Sequence, residues 1–184
     1  IIHYESPDKR GIDVALLFQN RYFKPVHHES FELKIYSDNK RVYTRDQLLV
    51  SGYLDDEMIH VIVNHWPSRR AKSPKRVIAA KICRGVVDSL LERNADAKIF
   101  VMGDFNDTPL DESLNYLVHK SVKKEAESKK VPIMFNPLKG VHKSGTGTIA
   151  YQDVWSVFDM ILVSPGGQKG SGYLYKACKI FERD

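Results

Sequence analysis

Two apolar runs near the middle of the chain set the first elements. Residues 48–54 and 58–64 each have the length and β-branched character of a strand, and only Asp55-Asp56-Glu57 separates them. They are expected to pair through a turn there. Residues 31–36 alternate apolar and polar positions, as a half-buried strand does. Residues 12–18, Ile-Asp-Val-Ala-Leu-Leu-Phe, read as a further strand after a turn over residues 6–11. From Ile78 the period changes: Ile78, Ile82, Val86 and Leu90 recur every four residues, with Ala79, Cys83 and Leu91 widening the stripe. This predicts an amphipathic helix, capped by Ser73, with Pro74 in its first position and an end at Asn94-Ala95-Asp96. Lys75, Arg76, Lys81, Arg84 and Asp88 are expected mostly on its other faces. The short run over residues 98–102 predicts a strand buried on both faces.

Beyond it, a short helix is expected from Asp111 to about His119. Residues 120–130 are charged and of mixed sign, and read as a solvated loop or helix end. The Gly/Lys/Ser-rich residues 140–147 read as a mobile loop, and residues 157–163 as the last clear strand. No repeat is visible. Mostly strands, with one long helix between two of them, point to an α+β or layered α/β sandwich in which helices cover a mainly antiparallel sheet system.

Composition adds bounds rather than detail. At 184 residues, 42% hydrophobic and 28% charged, the chain is expected to form a single domain, 1–184. No apolar run approaches the roughly 18–20 residues that span a bilayer. The N-terminus has neither the pattern of a signal peptide nor an initiator Met, which fits a processed protein or an excised piece. A net charge of +5 favours phosphates or other anions only mildly. Cys83 and Cys178 form neither a disulfide framework nor a metal-ligand spacing, and Cys83 is expected as a buried free thiol. His27, His28, His60 and His142 lack zinc spacing and read as structural or surface residues.

Three segments could carry chemistry. In Gly103-Asp104-Phe105-Asn106-Asp107-Thr108-Pro109 a buried strand ends, a glycine permits a tight turn, and polar groups emerge where open sheets place ligands. Asp104 and Asn106 could orient a water, bind a divalent cation or contact a phosphate oxygen. They could equally bond their own backbone in a turn. In Asn64-His65-Trp66-Pro67-Ser68-Arg69-Arg70 a histidine leaves a strand beside two arginines, a set able to move protons and grip a phosphate. A structural histidine fits the same residues. The basic residues Arg69, Arg70, Lys72, Lys75 and Arg76 surround a predicted helix N-terminus, which favours anions. Asp159 lies between Phe158 and Met160 in an apolar strand. Buried there, it would need a His, an Arg or a metal as partner.

These segments, in this order, resemble the endonuclease/exonuclease/phosphatase superfamily, the group of pancreatic deoxyribonuclease, abasic-site endonucleases, inositol polyphosphate phosphatases and neutral sphingomyelinases. Arg-Gly-Ile-Asp-Val-Ala-Leu-Leu, Asn-His-Trp-Pro-Ser-Arg and Gly-Asp-Phe-Asn-Asp-Thr-Pro look most like its bacterial members. The resemblance implies a deoxyribonuclease I-like four-layer αββα sandwich, here partial, and a phosphoester hydrolase dependent on Mg2+ or Mn2+. It makes His65 a contact to the scissile phosphate and an aid to protonation, and Asp104 the group that activates water. Asn106 becomes a ligand of the phosphate and of that aspartate, and Asp159 the support for the family's last catalytic histidine. Asn64, Trp66, Arg69 and Arg70 become candidate substrate-binding residues, and Asp104 and Asn106 candidate metal ligands.

Two expected patterns have no counterpart: an early segment bearing the main metal-binding Glu, and a final Ser-Asp-His strand. The expectation is therefore a truncated domain, poorly active alone, whose parent cleaves a nucleic acid, nucleotide, phospholipid or inositol phosphate. The alternative is a non-catalytic phosphate- or carbohydrate-associated binding domain on the same scaffold. No protein partner or transmembrane segment is predicted, and the sequence does not specify a compartment.

Overall fold

The computed structural model describes residues 1–37, 39–124 and 127–181. In chain order its elements are β1 (Ile2–His3), β2 (Ala15–Leu16), β3 (Phe23–Phe31), β4 (Ile35–Ser37), β5 (Lys40–Val42), β6 (Gln47–Leu54), β7 (Glu57–His65), α1 (Pro74–Arg93), β8 (Lys98–Asp104), α2 (Glu112–Val118), β9 (His119–Lys124), β10 (Glu127–Pro132), α3 (Leu138–Lys143), β11 (Ile149–Tyr151), β12 (Val154–Ser156) and β13 (Asp159–Val163). A five-stranded sheet in the order β13-β8-β7-β6-β3 is the centre of this α+β fold. Three of its four pairings are antiparallel. The exception is β7 with β8, which run parallel because α1 crosses between them.

One face of the sheet is covered by helices. Ile62, Ile99, Val101 and Leu162 pack there against Ala79, Ala80, Cys83 and Val87 of α1 and against Leu114 and Leu117 of α2. Burial of each larger aliphatic side chain here contributes about 1.5–3 kcal/mol. The opposite face is covered only in part. Val14 and Phe23 meet Leu48, Val50, Ile59 and Val61, with Ile2 and Leu16 of the β1–β2 ladder alongside. Ile161 on β13 is exposed. Among the described residues no helix is long and apolar enough to cross a membrane.

The β6–β7 hairpin forms as expected, and Asp55 turns it with a positive φ of 52°. Several other expectations are corrected. The run at residues 12–18 pairs only at Ala15–Leu16. The expected strand at 31–36 is broken: Leu33 turns its amide to the Asp46 carboxylate, and Ile35–Ser37 starts a separate ladder with β5. Ser73 makes no side-chain cap, because its backbone is already helical. The buried face of α1 is rotated from the expected stripe. Ala79, Ala80, Cys83, Val86, Val87 and Leu90 are buried, and Ile78, Ile82 and Leu91 lie at its margin.

Arg76 and Arg84, expected on other faces of α1, are buried. Arg76 donates to the carbonyls of Ser68 and Ala71, and Arg84 to those of Tyr116 and His119. The strand at 98–102 is fully buried on one face only, through Ile99 and Val101. Residues 120–130, expected as a loop or helix end, fall largely in the β9–β10 hairpin, and residues 125 and 126 of that stretch lie outside the described residues. The expected mobile loop at 140–147 begins as the end of α3. Cys83 is free and fully buried, and burial pushes its thiol up to about 12.

Candidate active site

Strand register brings the candidate residues together. His65 ends β7 directly beside Asp104 at the end of β8, and Asp159 opens β13 on the other side of Asp104. Residues paired across adjacent strands share a face. The alternation Val61-Val63-His65 and Phe100-Met102-Asp104 puts this row on the less covered face, away from α1. His65 Nε2 stands 3.7 Å from Asp104 Oδ2, beyond direct hydrogen-bond reach.

The turn after β8 is built for close approach. Gly103 has a φ of 130°, and a Cβ there would fall 1.9 Å from the Asn64 carbonyl oxygen, so position 103 requires glycine. Asp104 Oδ1 accepts the Asn106 amide at 2.8 Å, which leaves Oδ2 towards His65. Asn106 sits in the left-handed region at a φ of 51°, a conformation asparagine tolerates. Its Nδ2 donates to the Trp66 carbonyl at 3.0 Å, and the Trp66 amide donates to the Asp104 carbonyl at 2.9 Å. Asp104 Oδ1 thus closes the turn expected at Asp104-Phe105-Asn106, and Oδ2 stays outside that bond.

Burial sets the electrostatics. Desolvation holds His65 below its ordinary value, aided by the nearby Arg45 charge and opposed by Asp104. Desolvation raises Asp104 above the usual carboxylate range, with the negative charge of Asp159 acting in the same sense and the Asn106 amide opposing. The row thus sets an imidazole whose charged form is disfavoured beside a carboxylate of raised basicity.

The remaining candidates fall in different places. Asp159 is exposed, not buried as expected, because it is the first residue of β13. Its amide and that of Phe158 both donate to Thr148 Oγ1 at 3.1 Å. Asn64 and Trp66, expected on a substrate rim, are buried instead. Trp66 Nε1 donates to Asn64 Oδ1 at 2.9 Å, and its ring meets Phe105 edge-on with centroids 4.8 Å apart. They hold the two site loops together from below.

Arg69 is half exposed but engaged. It donates to Asp111 at 2.6 Å and to the Asn106 carbonyl at 3.2 Å, and it lies over the Phe158 ring. Arg70 is exposed. For a metal, Asp104 and Asn106 offer hard oxygen donors of the kind Mg2+ takes alongside waters and substrate phosphate. Among the described residues, only His3, Glu5 and Asp13 group three His, Cys, Asp or Glu ligand atoms within 4.8 Å of one another.

Sequence reading missed Arg45 and Asp8. Both are buried, and Arg45 donates to Asp8 at 3.2 Å and to the Trp66 carbonyl at 2.7 Å. That carbonyl also holds Asn106, so Arg45 braces the site loop. The available signal was a charged Arg45-Asp46 pair just before the apolar strand β6, and an aspartate within the turn at residues 6–11.

A sequence profile of the Endonuclease/Exonuclease/phosphatase family matches residues 1–184. No curated protein matches the chain in sequence. Among solved structures, the human Nocturnin catalytic domain with bound sulfate is similar at 14% identity and a TM-score of 0.56, over 80% of this chain and 50% of that one. Truncated TDP2 of Caenorhabditis elegans is similar at 17% identity and a TM-score of 0.53, over 78% and 54%. The Bacteroides thetaiotaomicron mannosyl-6-phosphatase Bt3783 is similar at 14% identity and a TM-score of 0.53, over 80% and 55%. The chain spans about half the length of these structures. Their likeness shows a common fold, and the profile match over the whole chain places the protein in the endonuclease/exonuclease/phosphatase family.

Proposed function

We propose that the protein is a divalent-metal-dependent phosphoester hydrolase whose reaction centre is the row His65, Asp104 and Asp159 with Asn106. The observation that carries this reading is the register of β7, β8 and β13. It sets an imidazole and two carboxylates side by side on one open face. Asp104 Oδ2 takes the proton of the attacking water, and its raised basicity suits that task. His65 donates its ring N–H to a phosphate oxygen, and the 3.7 Å gap between Nε2 and Oδ2 leaves Asp104 Oδ2 to the attacking water. Asn106 fixes Asp104 through its amide and offers its carboxamide oxygen as a further donor atom. Asp159 keeps the basicity of Asp104 high by like charge.

A bound Mg2+ or Mn2+, held by Asp104 and Asn106 together with a carboxylate beyond this row, would polarise the phosphoryl group and stabilise the leaving oxygen. The test is hydrolysis of bis-p-nitrophenyl phosphate, a nucleic acid and a phosphoinositide with either metal. Turnover of at least one, lost in Asp104→Ala, is expected. Phosphate binding without turnover of any would favour the non-catalytic alternative.

A further inference from the structure

Beside the candidate active site lies a cavity of about 490 Å³ whose wall carries five basic side chains, Lys9, Arg10, Arg41, Arg45 and Lys75, against the single carboxylate of Asp8. The carboxylate does not balance them. Among the described residues, the ion pairs of this wall are Arg10 and Arg45 with Asp8 and, from outside the cavity, Arg41 with Glu32. Lys9 and Lys75 take part in none. Two cations stand over the Tyr43 ring, Arg41 at 5.0 Å and Lys9 at 5.9 Å from its centroid.

A second observation points the same way. Among the described residues, Arg41 Nε, Thr44 Oγ1 and Arg45 Nε, on three residues that line this wall, are buried without a hydrogen-bond partner. Thr44 and Arg45 as whole residues are each 4% exposed. Groups left so normally answer to a ligand or an ordered water. The cavity also adjoins the reaction centre through the chain itself. Pro67 and Ser68, which follow His65 and Trp66, line it, and Arg45 bonds the same Trp66 carbonyl that holds Asn106.

We propose that this cavity is a second oxyanion subsite, which takes a phosphate group of the substrate other than the one cleaved. The substrate class is then a phosphoester with two phosphates a short span apart. An internucleotide phosphate next to the scissile one and a second ester phosphate on a polyol ring share this chemistry. The role of the cavity in a substrate rests on the hydrolase reading above, whereas its affinity for an oxyanion does not.

The experiment therefore has two arms, each comparing the protein with the variant Lys9→Ala/Lys75→Ala. In the first, calorimetry follows the binding of inorganic pyrophosphate. The variant is expected to bind about tenfold more weakly, a loss of about 1.4 kcal/mol, and the difference should shrink as salt rises. In the second, kcat/KM is measured for thymidylyl-thymidine with and without a 5′-phosphate, and for inositol mono- and bisphosphates. The protein is expected to favour the second phosphate in one of these pairs by about tenfold, and the pair that responds identifies the source. The variant should lose this preference while cleaving bis-p-nitrophenyl phosphate unchanged. Weakened pyrophosphate binding with no hydrolysis of any substrate would leave the subsite standing and overturn the hydrolase reading. Hydrolysis without a second-phosphate preference, or pyrophosphate binding equal in protein and variant, would overturn the subsite.

Discussion

His65 Nε2 and Asp104 Oδ2 face each other across 3.7 Å at the ends of two parallel strands, and burial disfavours the charged form of both. The pH dependence of kcat/KM should carry the mark of both shifts. Asp104 must be ionised to act as base, so activity should rise with pH through an acid limb that lies above the ordinary aspartate value of 3.8. Burial holds His65 below its ordinary value of 6.5, so no loss is expected as pH passes from 6.5 towards 8. A rate that falls through pH 6.5 would show instead that protonated His65 is the reactive form.

Stability should move the opposite way at Asp104. Its folded pKa is raised, so between the unfolded value near 3.8 and the folded one the native state binds more protons. Stability therefore falls as pH rises through that window. Asp104→Asn removes the half-buried charge and keeps the shape. Its Tm at neutral pH should equal or exceed that of the unaltered protein while activity is lost. A clear drop in Tm would make Asp104 a structural residue.

Gly103→Ala should be among the most damaging small substitutions. The added Cβ would lie 1.9 Å from the Asn64 carbonyl oxygen at a φ of 130°. Strain and overpacking of this kind cost on the order of 2–4 kcal/mol. Chemical denaturation would measure it, and a loss under about 0.5 kcal/mol, the range of a neutral surface change, would contradict the tight turn.

Trp66→Phe separates support from contact. It removes the donor to Asn64 Oδ1, which is buried, and an unsatisfied buried acceptor costs about 1–3 kcal/mol. The Trp66 backbone carbonyl that holds Asn106 and Arg45 is untouched. Stability should fall by that amount with KM little changed. A large rise in KM at unchanged stability would return Trp66 to the substrate rim.

Much of this fold could be read from periodicity. The β6–β7 hairpin, α1 and β13 follow their apolar patterns, and the parallel β7–α1–β8 unit follows from a helix between two strands. The edge strand β3 could not be read that way. Phe-Lys-Pro-Val-His-His-Glu-Ser-Phe has no alternation, most of it is exposed, and its register shifts between Pro25 and His27. The buried face of α1 was misread because Arg76 pairs with the buried Asp107 and Arg84 with the carbonyls of Tyr116 and His119, partners that no local pattern contains. Asp159 was misread for a related reason. Its apolar neighbours suggested burial, but the first residue of a strand can stay in solvent. At the candidate site, residue types left His65, Asp104 and Asn106 open between structural and chemical roles, and the family resemblance singled them out. Arg45 stayed hidden because its partners, Asp8 and Trp66, lie 37 and 21 residues away.

The central claim is that Asp104, set between His65 and Asp159, activates water for phosphoester cleavage. The most direct test is the initial rate of bis-p-nitrophenyl phosphate hydrolysis with magnesium or manganese, for the full-length protein and its Asp104→Ala variant, both shown to be folded by circular dichroism. A fall in kcat on the order of 10²–10³ is predicted. An unchanged rate would contradict the account.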